Sequence, residues 1–247
     1  MSETGSEPSV GPGRRALIVA DGDVPTRAAL DAAWPGWDRD VDLVVAADGG
    51  ARHVAGLGLF PDLLVGDFDS LPEAEVERLA AAGVAIHRSA VAKDESDMEL
   101  AVLAALERGA TSLLLLGALG GRVDHALANI GLLAHPALSG RSVELLDATA
   151  RLVLLEGPGP AGEPARLALP GPVDGIVSLL PLNDGVEGVS TEGLRYPLSD
   201  EPLPAGPARG LSNVRESRTA AVVVRRGRLL VIEIRAPEPR IQEGVSS

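Results

Sequence analysis

The first half of the chain alternates short apolar runs with longer segments rich in Ala and Leu. Five runs have the length of buried strands and end in a turn; they cover residues 16–20, 42–47, 62–65, 83–87 and 112–117. Later segments place apolar residues at the spacing of helix faces. These faces consist of Val76, Leu79 and Ala80, of Leu100, Leu103 and Ala104, and of Val123, Leu127, Ile130 and Ala134. The alternation predicts an α/β fold, with a mostly parallel open sheet covered by helices.

The pattern changes after Gly140. Short strand candidates follow one another without a convincing helix; they cover residues 142–148, 151–156, 165–170, 175–182, 220–226 and 228–235. This part of the chain predicts a smaller all-β sandwich domain. We therefore expect a disordered tail over residues 1–14, an α/β domain over 15–145, a β-sandwich over 146–236 and a frayed tail over 237–247.

Composition narrows the functional classes. Asp and Glu outnumber Lys and Arg by 35 to 22, and the resulting net charge of −13 argues against nucleic acid or an anionic membrane as a partner. The chain has no cysteine, which excludes disulfides, thiolate metal ligands and a Cys nucleophile. The first residues lack the apolar core of a signal peptide, and no apolar run approaches the roughly 20 residues of a membrane-spanning helix. We expect a soluble cytoplasmic protein.

Acidic residues and glycines follow the predicted strands, where open α/β sheets bind their ligands. Asp67 and Asp69 lie two apart, so an extended backbone would place both carboxylates on one side. They would repel one another unless a cation stood between them, and oxygen ligands shared with phosphates suit Mg²⁺. The alternative is structural: Asp69 or Ser70 caps the helix after Pro72, and Asp67 hydrogen-bonds the turn.

Two further motifs indicate a phosphate site. In KDESD, Asp94 and Asp97 stand at the start of a predicted helix, where acids also serve as caps, and Lys93 could reach a phosphate or neutralise its neighbours. In GGRVDH, backbone N–H groups at two glycines and the cation of Arg122 suit an anion at a helix N-terminus. The spacing is neither the Rossmann fingerprint nor a P-loop. His125 with Asn129, one turn later, could be only a helix-surface pair.

Taken in order, ADGG, PDLLVGDFDS, KDESD and GGRVDH, then PLNDGVEGVSTEGLRYPL and LSN, resemble the thiamine pyrophosphokinase family from about Ala16 to Ile234. The resemblance implies an N-terminal α/β nucleotide-binding domain, a C-terminal thiamine-binding β-sandwich and a homodimer. It also implies transfer of the pyrophosphoryl group from ATP to thiamine, which gives thiamine diphosphate and AMP. Relatives often have Thr where Ser96 stands and Trp where Tyr196 stands.

The resemblance assigns roles by matching motifs. Mg²⁺ would be held by Asp67, Asp69 and Asp97. The nucleotide site would be lined by Asp48, Gly49, Gly50, Lys93, Gly120, Gly121 and His125. Arg122 and Asp124 would stand near the transferred group, and Ser212 and Asn213 would contact thiamine. Tyr196 would lie near the thiamine rings, although an ordinary buried tyrosine is the alternative.

The chemistry of pyrophosphoryl transfer sets what these residues must do. Negative charge builds on phosphate oxygens, so positioning and fixed cations supply most of the assistance. Asp97 or Asp124 would orient the thiamine hydroxyl and accept its proton, and the sequence does not choose between them. A pyrophosphokinase for a hydroxymethyl pterin is one alternative function, although GLRY with LSN favours thiamine. A non-catalytic nucleotide-binding module is another, but it would be expected to lack some of these acids.

Overall fold

The computed structural model describes residues 13–90 and 94–235. Its first part contains β1 (Arg14–Val19), α1 (Arg27–Ala33), β2 (Val41–Ala47), α2 (Ala51–Val54), β3 (Leu63–Gly66), α3 (Glu73–Ala81), β4 (Ala85–Arg88), α4 (Asp97–Glu107), β5 (Ala110–Leu116), α5 (Val123–Leu132) and β6 (Ser142–Leu146). Its second part contains β7 (Ala150–Gly157), β8 (Ala165–Pro170), β9 (Ile176–Glu192), β10 (Glu201–Leu203), β11 (Asn213–Val214), β12 (Thr219–Val224) and β13 (Arg226–Ile234).

The first six strands form a parallel sheet in the order β4-β3-β2-β1-β5-β6. Alternate residues of β1 face opposite sides of it: Ile18 packs into one apolar core and Leu17 into the other. Helix α4 covers the first face through Ala101, and α1 covers the second through Leu30. The predicted α/β arrangement, a mostly parallel sheet covered by helices, is confirmed.

The sheet continues into the second part through antiparallel pairs, in the order β6-β7-β13-β9-β12-β8. Strand β9 is 17 residues long and pairs antiparallel with four strands, β10, β11, β12 and β13. Residues 176–182 pair with β13, and residues 190–192 pair with β12. A third apolar core lies in this part, with Val177, Val222 and Leu229 among its fully buried members. The predicted all-β character of the second part is confirmed; the structure adds that its strands pair antiparallel and share one hydrogen-bonded sheet with the first part.

Two of the predicted domain boundaries fall within the described residues and can be compared with the strands there. Arg14 already belongs to β1, one residue before the predicted domain start, and the division between residues 145 and 146 falls inside β6. Residues 1–12 of the predicted N-terminal tail and the whole predicted C-terminal tail, residues 237–247, lie outside the described residues. The domain limits therefore stay predictions. Within the part of the chain that is described, no helix is long and apolar enough to cross a membrane.

Two helices differ from the predicted faces. In α4 the buried residues include Met98 and Val102, whereas Leu100 and Leu103 of the predicted stripe are only half-buried, so the buried face is shifted around the helix. In α5, Val123 is 73% exposed and Leu127 is 64% exposed, and the predicted packing of this end of the stripe is wrong within one chain. Apolar spacing identifies a face that is suited to burial, but it does not say what covers that face.

Candidate functional site

Four parallel strands deliver polar residues to one edge of the sheet, where they surround a cavity of about 620 Å³. The lining comes from the segments that follow β1, β2, β3 and β5 and from the starts of α4 and α5. It consists of Ala20, Asp21, Gly22, Ala47, Asp48, Asp69, Ser70, Glu95, Ser96, Asp97, Met98, Gly117, Ala118, Gly120, Gly121, Arg122, His125 and Asn129. Because parallel strands end at a common edge, residues far apart in the chain meet here.

Three carboxylates come together at this edge. Oxygen atoms of Asp48, Asp67 and Asp69 lie within 4.8 Å of one another. The cause is the pairing of β2 with β3, which sets Ala47 beside Val65, so the residues that follow the two strands are neighbours. The cluster contains Asp48, whereas the resemblance implied Asp97 together with Asp67 and Asp69.

Asp48 is the buried member of this cluster. It is 6% exposed, and its Oδ1 has no hydrogen-bond partner among the described residues. Burial raises the pKa of this carboxyl, and the negative charges of Asp97 and Asp69 raise it further, against the hydrogen bonds of Ser70 and the Gly49 backbone. A buried carboxylate oxygen without a partner, beside other acids, is costly unless a cation neutralises it. The donor set therefore fits a hard divalent cation with oxygen ligands.

The capping alternatives are settled by the hydrogen bonds. Helix α3 has Pro72 at its N-cap and no side-chain cap, so neither Asp69 nor Ser70 caps it. Asp67 does accept a hydrogen bond from the Asp69 backbone N–H, at 3.2 Å. In α4, the cap is Ser96, whose Oγ accepts from the Glu99 N–H at 3.2 Å. Asp97, the next residue, lines the cavity, and its negative charge acts on the carboxyl of Asp48.

The glycine loop before α5 forms another wall. Gly120 and Gly121 have φ of +87° and +62°, which L side chains rarely adopt, and this conformation turns the chain from β5 into α5. Arg122 at the helix N-cap lines the cavity. Asn129 donates from Nδ2 to the Ala118 carbonyl at 2.9 Å, so it holds this loop rather than pairing with His125.

Asp124 faces Arg122 instead of the cavity. Arg122 donates from Nε to Oδ1 at 3.1 Å and from its terminal nitrogen to Oδ2 at 2.6 Å. This fork lowers the pKa of Asp124 to about 2. Asp124 is not among the described residues that line the cavity. An acid with so low a pKa, engaged by a guanidinium, is poorly suited to accept a proton from a hydroxyl.

Sequence reasoning missed the contribution of β1. Asp21 lines the cavity and accepts from Arg52 at 2.5 Å, while His53 Nε2 lies 3.1 Å from its other oxygen. Arg52 also donates to the Ser70 carbonyl at 2.9 Å, so it joins the segment after β1 to the segment that carries Asp69. The signal was present: the first apolar run ends in ADGD, at the same edge as the motifs that were recognised.

The glycines of ADGG have a steric role in this arrangement. Neither Gly49 nor Gly50 is among the described cavity-lining residues, and both are buried. A Cβ on Gly49 would lie 2.4 Å from Asp21 Oδ2, and one on Gly50 would lie 2.0 Å from the Val19 carbonyl oxygen. These glycines therefore allow the segment after β2 to pack closely against β1.

The residues predicted to bind thiamine lie in the second part of the chain, and none is among the described lining of the cavity. Tyr196 is 61% exposed, so the buried-tyrosine alternative is wrong. Ser212 is exposed, with φ of +56°, and its N–H donates to Ser178 Oγ at 3.1 Å. Asn213 is buried. Lys93, predicted at the nucleotide site, lies outside the described residues.

Comparison with known proteins gives matches to both parts of the chain. The family model described as "Thiamin pyrophosphokinase, catalytic domain" matches residues 37–145. The model described as "Thiamin pyrophosphokinase, vitamin B1 binding domain" matches residues 170–229. Thiamine pyrophosphokinase of Bacillus subtilis (strain 168) is 27% identical over 185 residues, 72% of this chain and 80% of that protein. Thiamine pyrophosphokinase 1 of Oryza sativa subsp. japonica is 27% identical over 228 residues, 84% and 82% of the two chains.

Solved structures are similar over most of the chain. The crystal structure of the Bacillus subtilis thiamine pyrophosphokinase has a TM-score of 0.76 at 24% identity, covering 91% of this chain and 100% of that one. A thiamin pyrophosphokinase family protein from Enterococcus faecalis has a TM-score of 0.73 at 27% identity, with coverage of 91% and 100%. The likeness extends through both the parallel and the antiparallel parts of the sheet.

Proposed function

The chain belongs to the thiamine pyrophosphokinase family, and from this premise we propose how its residues transfer a pyrophosphoryl group from ATP to thiamine. The observation that carries the proposal is the meeting of Asp48, Asp67 and Asp69 at a cavity that also contains Asp97 and Arg122. A vitamin B1 binding model matches the second part of the chain, which disfavours the pterin alternative. The acids are all present, which disfavours a silent binding module.

We propose that Asp48, Asp67 and Asp69 hold Mg²⁺, with Asp97 beside them. Two observations support this: oxygen atoms of the three carboxylates lie within 4.8 Å of one another, and the buried Oδ1 of Asp48 has no hydrogen-bond partner among the described residues. When bound, Mg²⁺ supplies positive charge against the triphosphate oxygens of ATP. This assignment extends the predicted set of Asp67, Asp69 and Asp97 by the acid that β2 delivers.

The proposed nucleotide site is the wall formed by the start of α5. Gly120 and Gly121 present backbone N–H groups without side chains in the way, and Arg122 and His125 stand at the same wall. Arg122 is held in place by Asp124 until a phosphate competes for its fork. Lys93 stays a prediction for this site, and Gly49 and Gly50 act by allowing close packing.

We propose Asp97 as the group that orients the thiamine hydroxyl. The hydroxyl oxygen forms a bond to the β-phosphorus of ATP, the bond from that phosphorus to the α–β bridging oxygen breaks, and AMP leaves with the electron pair. The hydroxyl proton passes to the Asp97 carboxylate. Asp97 lies in the cavity, whereas Asp124 is engaged by Arg122 and has a pKa of about 2.

A homodimer would bring thiamine contacts to this cavity. Tyr196 and Leu211 are exposed in the second part of the chain, and Val123 and Leu127 form an exposed apolar face on α5 beside the glycine loop. We propose that two copies cover these surfaces, so that Tyr196 and Ser212 of one subunit contact thiamine at the cavity of the other subunit.

Because ATP is the proposed co-substrate, we also propose a cytoplasmic location.

The test of the reaction is a product analysis. The protein is incubated with ATP and Mg²⁺ and with either thiamine or a hydroxymethyl pterin. We expect AMP and thiamine diphosphate in equal amounts from the first mixture and no AMP from the second. Formation of ADP, or of a pterin diphosphate, would contradict the proposed reaction.

Analytical ultracentrifugation tests the proposed dimer. Mixing Asp97→Asn protomers with Tyr196→Ala protomers tests whether the two subunits share a site, because a mixed dimer would regain one complete cavity.

A further inference from the structure

Asn213 has its side-chain amide directed at the protein's own backbone. Its Oδ1 accepts from the N–H of Tyr196 at 3.0 Å and from the N–H of Val214 at 2.9 Å. Its Nδ2 donates to the carbonyl of Tyr196 at 2.7 Å. Both backbone groups of Tyr196 are therefore bound by one side chain that lies 17 positions away in the chain.

The count of hydrogen bonds leaves Asn213 little capacity for a ligand. An asparagine side chain offers two acceptor positions on its oxygen and two N–H donors. In Asn213 both acceptor positions and one donor are in use, and the residue is only 6% exposed. A buried amide whose bonds are made is costly to redirect, because each broken bond leaves a buried polar group unsatisfied.

The segment that carries Asn213 is itself firmly held. Asn213 pairs with Val177 of β9, and the N–H of Arg195 donates to the Val214 carbonyl at 2.8 Å. Arg215 is 3% exposed and donates to the Leu169 carbonyl and to Glu233. The amide of Asn213 therefore projects from a fixed frame toward Tyr196, whose ring is exposed.

We propose that Asn213 is a positioning residue, which acts on thiamine through Tyr196 and does not contact thiamine itself. By fixing the N–H and C=O of Tyr196, it limits the directions in which the exposed ring can point before substrate arrives. Ordering that is complete before binding does not have to be supplied by the binding energy. This inference rests on the proposed function, in which Tyr196 meets the thiamine rings.

Tyr196 is the only tyrosine of the chain, which allows a direct measurement. Protein labelled with 3-fluorotyrosine gives a single ¹⁹F resonance that reports the ring of Tyr196. We expect Asn213→Ala to shift and broaden this line in the substrate-free enzyme. The matched control is Ser190→Ala, which removes one side-chain hydrogen bond, at 2.9 Å, to the N–H of Asp200 on the same loop. We expect that control to leave the line in place.

Kinetics provide the second readout. We expect Asn213→Ala to raise KM for thiamine about tenfold and to leave KM for ATP within about twofold, because only the thiamine side must be ordered anew. If Asn213→Ala does not fold, Asn213→Asp keeps an oxygen for the two N–H groups and loses the donor to the Tyr196 carbonyl. It should then show the same changes in the ¹⁹F line and in KM.

A double-mutant cycle separates the inference from the function on which it rests. In a Tyr196→Ala background, we expect Asn213→Ala to add less than about twofold to KM for thiamine, because residues that act through one another are not additive. Multiplied effects, or an unchanged ¹⁹F line in Asn213→Ala, would overturn the positioning role. If Tyr196→Ala leaves KM for thiamine unchanged, the thiamine contact of Tyr196 is wrong, while the ¹⁹F line still decides whether Asn213 holds the ring.

Discussion

Asp48 and Glu233 are both buried acids, with 6% and 4% of their surfaces exposed, and they lie in different halves of the molecule. Glu233 on β13 accepts from Arg215 at one oxygen and from Arg151 at the other, and Arg151 donates in turn to Glu144 at 2.8 Å. Asp48 has one oxygen without a partner among the described residues, and its neighbours in the cluster are acids. The second half pairs its buried charge internally, whereas the first half has an excess of negative charge at its cavity.

This difference teaches how to separate framework from site. A buried acid with two guanidinium partners has its charge compensated within the fold, so it fixes strands relative to one another. A buried acid among other acids is compensated only when a cation arrives, so it marks a place where a ligand belongs. The following predictions test this division by changing one member of each kind.

The largest effect is expected for Asp97, the proposed acceptor of the hydroxyl proton. Asp97→Asn keeps the shape of the side chain but cannot accept the hydroxyl proton. We expect kcat to fall about 10³-fold, which is within the range for loss of a general base, with KM for ATP little changed. Steady-state kinetics with AMP as the measured product provide the check.

Asp124→Asn is the matched control for that experiment, since it makes the same change in the other aspartate that the sequence put forward. We expect its kcat to stay within about tenfold of the parent value, because Asp124 is engaged by Arg122. Equal losses of kcat in both variants would contradict the assignment of the base to Asp97.

Most of the residues at the cavity edge could be predicted from the sequence, because the sheet topology brings them together. Once the apolar runs are recognised as parallel strands, the segments that carry Asp48 and Asp69 must lie together beyond the carboxyl ends, whatever the details of the loops. The membership of the acid cluster could not be predicted, since the left-handed backbone of Asp48, with φ of +44°, is what brings its carboxylate beside Asp67.

The proposed thiamine site was harder to predict by the same reasoning. The LSN motif pointed to Asn213, but not to the hydrogen bonds that connect it with Tyr196, because these depend on how the loop that carries Tyr196 packs against β11. The pattern on α5 likewise predicted an apolar face at Val123 and Leu127 without revealing that one chain leaves it exposed. Local spacing identifies candidate residues, whereas the partner of each side chain is set by tertiary contacts.

The second largest effect is expected in the framework. We expect Arg215→Met to lower the free energy of unfolding by about 3 kcal/mol, because removal of one partner leaves Glu233 with an uncompensated share of buried charge. Urea unfolding measures the change. Arg166→Ala is the control, because the Arg166–Glu192 pair has similar geometry, at 2.7 Å, but side chains that are 51% and 59% exposed. A similar loss in the control would show that burial is not the cause.

Asp48→Asn should stabilise the protein in the absence of metal, which is the opposite of the effect expected for Arg215→Met. Its raised pKa means that the folded protein holds the proton more tightly than the unfolded chain, so the contribution of Asp48 to stability falls as pH rises through that raised pKa. Near neutral pH the substitution removes this penalty, and we expect the melting temperature without Mg²⁺ to rise by about 2–4 °C, the shift for 1 kcal/mol in a chain of this size.

The same variant should lose the response to metal. In the parent protein, we expect Mg²⁺ to raise the melting temperature as its concentration increases, because it binds the folded state. In Asp48→Asn this increase should shrink or vanish. If Mg²⁺ does not change the melting temperature of the parent protein, or if the variant melts at a lower temperature than the parent without Mg²⁺, Asp48 belongs with the internally compensated acids such as Glu233.

The smallest effect concerns the exposed pair at the mouth of the cavity. The pKa of Asp124 is lowered to about 2, chiefly by its hydrogen bond with Arg122. Both side chains are therefore charged in an assay near neutral pH. In Asp124→Asn the guanidinium loses its charged partner and becomes available to phosphate, and we expect KM for ATP to fall by about twofold to threefold at low salt. The difference should disappear at high salt, since both side chains are well exposed. A rise in KM for ATP would instead mean that Asp124 holds Arg122 in the orientation that phosphate requires, which would make Asp124 part of the nucleotide site.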